Sequence, residues 1–236
     1  MYQLYEIRAK DCHSSEFNNN MGKKKYLVLG VLFVLPLVAY LFFASGVHNF
    51  AKLPVLNDQV GDLSMFEALD NTDVTLANKI TIVGFLGEEI YNKKGNAFNL
   101  NQKIYKKNHG FRDFQMVMIL PYGSEDTARE LLRELGSITD VSEWKFLFGT
   151  REQIESLFES LKTPYTLDNR LATNFVFIID KNGSLRGRDG SIDDKKVYGY
   201  DASSVADLNN VMDDDVKVIL AEYRLALKKY KADRKN

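Results

Sequence analysis

The sequence predicts an α/β fold in which a central, mainly parallel sheet with a terminal hairpin lies between flanking helices. Apolar runs of strand length alternate with amphipathic segments of helical length, in the order strand, helix, strand, helix, strand, helix, hairpin, helix. That alternation is typical of sheets whose strands are joined by crossover helices covering both faces. The core strands are expected at residues 79–85, 114–120, 144–148 and 175–179.

Residues 79–85 are predicted to form the central strand. The run Lys79-Ile-Thr-Ile-Val-Gly-Phe85 is dominated by apolar and β-branched residues, which is typical of a strand buried on both faces. A polar loop is expected over residues 86–97, and in open α/β sheets ligands gather just beyond the carboxyl end of such a strand. This loop is therefore the candidate site, and the residues singled out in it are Gly87, Glu88, Glu89, Tyr91, Lys93 and Lys94.

The helices between the strands have recognisable end signals. A helix over residues 98–109 is expected to end at His109-Gly110, and another over 124–135 is expected to be capped by Ser124. The segment Thr150-Arg-Glu-Gln153 is a capping box, which predicts a helix reaching about residue 161. A last helix is expected over 213–231, where acidic residues begin it and lysines end it, as the macrodipole favours.

Two hairpins are predicted from turn residues. Asp180-Lys-Asn-Gly183 is typical of a tight turn and would return the strand at 175–179 to residues 184–188. Asp70-Asn-Thr-Asp73 would join residues 63–66 to residues 74–76 in a short hairpin before the first core strand. A terminal hairpin followed by a helix is a feature of thioredoxin-like three-layer sandwiches, which is the fold expected for residues 60–236.

One segment is predicted to be a transmembrane helix. Residues 26–44 form an uncharged run of nineteen residues, and roughly twenty are needed to cross a bilayer. Lys23, Lys24 and Lys25 precede it, so the positive-inside bias places residues 1–25 in the cytoplasm and the rest across the membrane, in the periplasm of a bacterial cell. Residues 45–59 are expected to be a linker. A cleaved signal peptide ending near Ala44-Ser45-Gly46 is the alternative, although its apolar region is usually shorter.

The amino-terminal tail contains the only cysteine of the chain. Met21-Gly-Lys-Lys-Lys is a natural start for an anchored protein, so residues 1–20 are either a short tail or an over-extended start. Cys12 lies in this part and, on the topology above, is cytoplasmic. The outer domain therefore has no thiol and no disulfide. With a net charge of −1, the chain also lacks the basic field that nucleic-acid binding requires.

The outer domain resembles the Sco/SenC family, whose members are membrane-anchored, thioredoxin-like proteins of cytochrome oxidase assembly. Phe146-Leu-Phe-Gly-Thr-Arg-Glu-Gln-Ile154 is similar to the family's Leu-Thr-Gly-Thr-Arg-Glu segment. Phe175-Val-Phe-Ile-Ile-Asp-Lys-Asn-Gly183 is similar to its strand ending in Asp-Pro-Asp-Gly, and Asp126-Thr127 resembles its Asp-Thr pair. The resemblance covers roughly residues 60–231 and also includes the single spanning helix before one domain.

The chain departs from this family at the metal site. The resemblance implies two cysteines in a Cys-x-x-x-Cys turn after the central strand, where this sequence has Gly87 to Gly95. It also implies a histidine near Ala172 or Thr173. Cu(I) selects soft thiolates, and a thiol–disulfide cycle needs two thiols within reach. We therefore expect no copper, no other cofactor and no redox catalysis.

Three functional hypotheses follow. The first is a non-enzymatic, membrane-tethered Sco/SenC-like protein that acts through a periplasmic protein partner in assembly of a respiratory complex such as cytochrome oxidase. The second is an enzyme that uses Glu88 and Glu89, although Lys93 and Lys94 are expected simply to neutralise them in a solvated loop. The third is a peptide-binding module unrelated to oxidase assembly. His109, alone at a helix end, is not expected to hold a metal.

Overall fold

The computed structural model describes residues 25–42, 52–191 and 194–233, and the chain divides into two units, Met1–Phe50 and Ala51–Asn236. In the first unit, helix α1 (Lys25–Phe42) is long and apolar enough to cross a membrane, a test of length and composition that signal sequences near the amino terminus also pass. The predicted tail, and residues 43–51 of the predicted span and linker, lie outside the described residues.

Within the described residues of the second unit there are ten strands. Their bounds are β1 (Val55–Asn57), β2 (Glu67–Ala68), β3 (Ile80–Leu86), β4 (Phe114–Pro121), β5 (Trp144–Gly149), β6 (Ala172–Ile179), β7 (Leu185–Arg186), β8 (Arg188–Asp189), β9 (Lys196–Val197) and β10 (Tyr200–Asp201). All but β8 and β9 belong to one sheet, in which β1, β7, β6, β3, β4, β5 and β2 follow one another and β10 pairs with β6.

The helices of this unit include two short π-helical turns inside longer helical runs. Their bounds are α2 (Ile90–Leu100), π1 (Asn101–Tyr105), α3 (Lys106–Asn108), α4 (Glu125–Gly136), α5 (Arg151–Ser160), α6 (Val205–Asp207), π2 (Leu208–Met212) and α7 (Asp213–Asp233). The predicted capping box of α5 is confirmed, because the Thr150 hydroxyl accepts from Gln153 N and the Gln153 side chain accepts from Thr150 N.

The sheet is mixed rather than mainly parallel. Strands β3, β4 and β5 run parallel to one another, as crossover helices require. Strand β6 instead runs antiparallel to β3 and forms the predicted hairpin with β7 through the Asp180–Gly183 turn. The short strands β1 and β2 are antiparallel to β7 and β5. The segment before the core strands thus adds antiparallel pairings at both edges.

Alternating strand residues bury opposite faces of the sheet, which gives three layers. On one face, side chains such as Ile82, Met118 and Phe146 pack in a cluster that includes residues of α2, α4 and α7. On the other, side chains such as Val83, Ile119 and Leu147 pack with α5 and the segment around Leu63 to Leu76. The three-layer sandwich predicted from the sequence is confirmed.

Two predictions about the start of the domain are wrong in detail. Residues 63–66 and 74–76 do not form a hairpin with each other, because Glu67 and Ala68 pair instead with Phe148 and Leu147 of β5. Part of the predicted linker is also structured, since β1 (Val55–Asn57) pairs with β7. Both segments contribute apolar residues to the core, namely Leu53 next to β1 and Leu63, Phe66 and Leu76 around β2.

Two helices begin earlier than predicted. The first starts at Ile90 rather than near residue 98, so most of the predicted loop is helical. The last starts at Val205 and passes through π2 before Asp213. Ser204 caps that earlier start, since its hydroxyl accepts from Asp207 N at 3.1 Å.

Candidate functional site at the end of the central strand

The turn after the central strand lies directly against the segment that leads into β6. Gly87 has a φ of +68°, and a Cβ built there would lie 2.3 Å from Arg170 O and 2.8 Å from Ala172 Cβ. Glu88 N donates to Arg170 O at 2.9 Å. Only glycine fits this close approach without strain. The fold therefore brings together the two stretches, around Gly87 and around Ala172, that the family resemblance singles out.

Asp168 holds the second of these stretches in place. Its Oδ1 accepts from the backbone N–H groups of Arg170 and Ala172, both at 2.9 Å, which closes a tight loop. Within the loop, Leu171 is buried and has a φ of +64°. A left-handed backbone is strained for a leucine and persists only where surrounding contacts impose it. Asp168 and the burial of Leu171 supply those contacts.

Arginines from elsewhere in the chain neutralise the two glutamates of the turn. Glu88 Oε1 lies 3.2 Å from Arg151 Nη2, which also donates to Asn169 O at 3.2 Å. Glu89 forms an ion pair with Arg170. The prediction that Lys93 and Lys94 neutralise the glutamates is wrong, because the helix turns those lysines away.

Tyr91, Lys93 and Lys94 lie on α2 and bond to different partners. Lys93 Nζ donates to Asn174 Oδ1 at 2.6 Å, whereas Lys94 Nζ donates to Glu134 on α4, also at 2.6 Å. Tyr91 Oη donates to Glu130 Oε2 at 3.1 Å. Hydrogen bonding to these carboxylates raises the pKa of both Tyr91 and Lys94. These residues fasten α2 to its neighbours and do not converge with the glutamates.

The positions expected for a histidine hold small side chains. Ala172 pairs with Leu86 across the sheet and is buried. The Thr173 hydroxyl accepts from Phe175 N at 3.3 Å. His109 follows the helical run that starts beside the site at Ile90, and so lies about 28 Å away along its axis at 1.5 Å per residue.

The donor set of this site does not suit Cu(I). The side chains that meet there are carboxylates paired with guanidinium groups, a methyl group and a hydroxyl group, whereas Cu(I) selects thiolates and thioethers. The residues therefore do not fit the metal that the family resemblance implies.

The two glutamates also have no common target. Their side chains are about half exposed, at 49% for Glu88 and 46% for Glu89, and each is directed to a different arginine. A groove of about 490 Å³ lies next to them between α5 and residues 162–169, and its lining includes Arg151 but neither glutamate. An acid–base pair would need both carboxylates to reach one reacting group. This geometry gives the enzyme hypothesis no support.

Sequence reasoning missed Arg151, Asp168 and Arg170, which organise the site. Asp168 and Arg170 have no motif that marks them. One signal in the sequence could have found Arg151. It lies in the capping box directly after the strand at 144–148, and because the carboxyl ends of parallel strands share one edge of the sheet, it was to be expected near the turn after the central strand.

Comparison with known proteins identifies the fold. No protein-family model matches the chain, and neither does any curated protein. Among solved structures, a SCO1/SenC family lipoprotein from Bacillus anthracis str. Ames aligns with a TM-score of 0.50 and 17% identity over 71% of this chain and 99% of that chain.

Two further structures align less closely. BsSco, a member of the Sco family of cytochrome c oxidase assembly proteins, has a TM-score of 0.48 and 14% identity over 72% of this chain and 98% of its own. A thioredoxin-family thiol:disulfide interchange protein from Chlorobium tepidum TLS has a TM-score of 0.44 and 18% identity over 72% and 99%. The alignment with the SCO1/SenC family lipoprotein confirms the predicted thioredoxin-like fold and its likeness to a Sco/SenC structure.

Proposed function

We propose that this chain is a membrane-anchored, redox-inactive protein of the Sco/SenC type that acts by protein contact during assembly of a respiratory complex such as cytochrome oxidase. It uses neither copper nor thiol chemistry. Its α1 helix is the anchor, its amino terminus is cytoplasmic, and its thioredoxin-like domain lies in the periplasm. The proposal rests on a Sco-like fold in which carboxylates, guanidinium groups and small side chains occupy the region where the resemblance implies metal ligands.

The observation that carries the proposal is the pair of ion pairs at the end of β3. Glu88 and Glu89 lie in the turn where the resemblance implies two cysteines, and they pair with Arg151 and Arg170. Exposed ion pairs of this kind each contribute only about 0–1 kcal/mol to stability, so a gain in stability does not by itself explain their presence. They join the turn after β3 to α5 and to the segment before β6. At this position the ion pairs connect three parts of the fold.

The anchor part of the proposal rests on α1 and its flanking charges. An apolar helix of eighteen described residues follows a cluster of lysines, and the positive-inside bias leaves that cluster in the cytoplasm. Cys12 then lies on the opposite side of the membrane from the domain. A thiol there cannot reach a substrate or metal held at Gly87.

A second candidate is a peptide-binding module unrelated to oxidase assembly. The groove next to Arg151 favours it, because apolar surface from Phe158, Tyr165 and Leu167 lies beside charged groups. Such a combination suits an extended peptide with mixed side chains. The two candidates differ in pathway and not in chemistry, so a genetic test separates them.

The chemical part is tested by Cu(I) competition. The full chain in detergent is titrated against a chromophoric Cu(I) chelator, with Cys12→Ser as the matched control that removes the only thiol. We expect the Cys12→Ser chain to retain no stoichiometric Cu(I). Retention of one tightly bound Cu(I) per chain in that variant would overturn the proposal.

The pathway part is tested in cells. We expect deletion of the gene to lower the amount of assembled respiratory oxidase in membranes, and the Cys12→Ser chain to restore it fully because no thiol takes part. Unchanged oxidase levels after deletion would favour the unrelated binding module. Restoration by the wild-type chain alone would contradict the absence of thiol chemistry.

A further inference from the structure

Exposed apolar side chains collect at the edge of the sheet where β3, β4 and β5 end. These strands are parallel neighbours, so Leu86, Pro121 and Gly149 terminate side by side. Around them Met65, Tyr91 and Tyr122 are exposed by 49%, 64% and 43%. We call the surface formed by these three side chains, together with Glu67 and the first half of α4, the strand-end face.

Hydrogen bonds connect the parts of this face. Tyr122 N donates to Gly149 O at 3.2 Å, and Gln153, on the helix after Gly149, donates from Nε2 to Met65 O at 3.2 Å. The Tyr91 hydroxyl donates to Glu130 of α4, the helix that follows Tyr122. The exposed side chains therefore stand on neighbouring, rigidly connected elements.

The strand-end face is acidic. Glu67 and Glu125 lie near Tyr122, and Glu130 lies near Tyr91. Asp126 is in the first turn of α4, Arg129 is the only cation in the sequence from 122 to 130, and Lys94 lies beside Tyr91. Partial burial and the nearby Glu67 raise the pKa of Tyr122, and the hydrogen bond with Glu130 raises that of Tyr91. The face of a tyrosine ring attracts cations. Lys94 Nζ already lies 5.8 Å from the ring centroid of Tyr91.

These features restrict the kind of ligand that fits. Tyrosine and methionine are among the residues enriched at protein–protein interfaces, and tyrosine is among those enriched at binding hot spots. The carboxylates repel phosphate groups, so nucleic acids and anionic lipid surfaces are poor ligands here. They attract lysine and arginine, whose cations can also stack on the tyrosine rings.

We propose that the strand-end face binds a segment of a partner protein in which lysine or arginine residues flank an apolar side chain. The apolar side chain contacts Met65 and Tyr122, and the cations contact Glu125, Glu130 and the ring of Tyr91. This deepens the proposed function, on which it rests, by assigning the contact surface and the charge of the partner.

The test uses synthetic pentapeptides as probes. One alternates lysine with leucine and tryptophan, and its counterpart has glutamate in place of every lysine. Binding is measured by fluorescence anisotropy of labelled peptide with the full chain in nanodiscs of zwitterionic lipid, and the signal from empty nanodiscs is subtracted. We expect the cationic peptide to bind and the acidic peptide to bind at least about tenfold more weakly, a difference of about 1.4 kcal/mol.

Variants locate the binding site. Glu125→Gln combined with Glu130→Gln, and separately Tyr122→Ser, should each weaken the cationic peptide about tenfold or more. Glu152→Gln, which removes an exposed carboxylate on α5, is the matched control and should leave binding unchanged. Affinity for the wild-type chain should also fall as salt rises from about 50 mM to about 300 mM, because exposed charges are screened.

Three results would overturn the inference. They are equal binding of the acidic peptide, unchanged binding by both face variants, and an equal loss in Glu152→Gln. Unfolding curves of each variant show whether a loss reflects misfolding, and the conservative Tyr122→Phe should keep most of the affinity. The copper titration is independent of these measurements, so failure of the proposed chemistry and failure of this surface are distinguishable.

Discussion

Replacing Gly87 by alanine tests whether the turn after β3 packs against the segment before β6 as described. Two costs are expected. An alanine at φ +68° is strained by about 1–2 kcal/mol. Its Cβ would also stand 2.3 Å from Arg170 O, a backbone atom that cannot simply swing away, and such overpacking costs about 1–3 kcal/mol. The free energy of unfolding should therefore fall by about 2–5 kcal/mol.

Two other glycines separate these costs. Gly123 has a φ of +90°, and no described atom lies within 4 Å of a Cβ built there, so Gly123→Ala should show only backbone strain of about 1–2 kcal/mol. Gly95 lies within α2, and again no described atom is within 4 Å of its added Cβ. Gly95→Ala should stabilise the protein by about 0.5–1 kcal/mol, since alanine is the better helix former.

Tryptophan fluorescence follows the unfolding of all three variants, in denaturant for the free energy of unfolding and on heating for Tm. Trp144 is the only tryptophan of the chain and is buried in the core, so its emission reports on loss of the fold. At about 2–4 °C per kcal/mol for a domain of this size, Gly87→Ala should lower Tm by at least about 4 °C. If Gly87→Ala is no more damaging than Gly123→Ala, the close approach to Arg170 is wrong, and with it the geometry of the site.

Three further predictions concern stability. Asp168→Ala should cost about 1 kcal/mol because two backbone donors lose their acceptor, and Asp168→Asn, which keeps an oxygen there, should recover most of it in the same unfolding assay. Asn101→Leu should change the free energy of unfolding by less than about 1 kcal/mol, because the buried Asn101 Oδ1 has no partner among the described residues and its Nδ2 makes one long bond, of 3.4 Å, to Leu135 O; a larger loss would contradict this reasoning. Burial raises the pKa of Asp70, but hydrogen bonds from Lys145 and Thr72 outweigh it and lower the pKa from 3.8 to about 2. The Asp70–Lys145 pair should therefore stabilise the protein above pH 3.8 and lose its effect as pH falls toward 2, so Asp70→Asn should differ from wild type at pH 6 and not at pH 2. Its contribution should be under about 1 kcal/mol because Asp70 is half exposed, and an Asp70→Asn difference that grows on acidification would contradict the assignment.

Two local signals in the sequence were reliable because the structure they specify is local, whereas Ser124, predicted to cap α4, makes no side-chain cap bond within the described structure. The capping box at Thr150 and Gln153, and the turn at Asp180 to Gly183, both form as predicted because each involves residues within a few positions of one another. The start of the helix at Ile90 was missed because it lacks such a signal. Glu89, at its N-cap, makes no side-chain cap bond within the described structure, and α2 contains Asn92, Gly95 and further asparagines. Its packing against the sheet and α4 offsets that weak helical propensity.

The sequence predicted that the site lacks cysteines, but it did not predict the ion pairs that hold the site together. Chain order was enough to place Gly87 after a central strand, to locate Ala172 ahead of the strand predicted at 175–179, and to establish that no cysteine follows Cys12. Lys93 and Lys94 were predicted to neutralise Glu88 and Glu89 because they are near in sequence. The structure assigns them to Arg151 and Arg170, which are far in sequence and near in space.

The sequence by itself determined the alternation of strands and helices, the apolar span near the amino terminus and the absence of thiols from the domain, because composition and periodicity express these directly. Only the tertiary structure decided that the sheet is mixed, that Gly87 meets Arg170, and that Met65, Tyr91 and Tyr122 share one face. The direction of strand pairing and the long-range contacts depend on the packing energy of the whole core, which no short stretch of the chain determines.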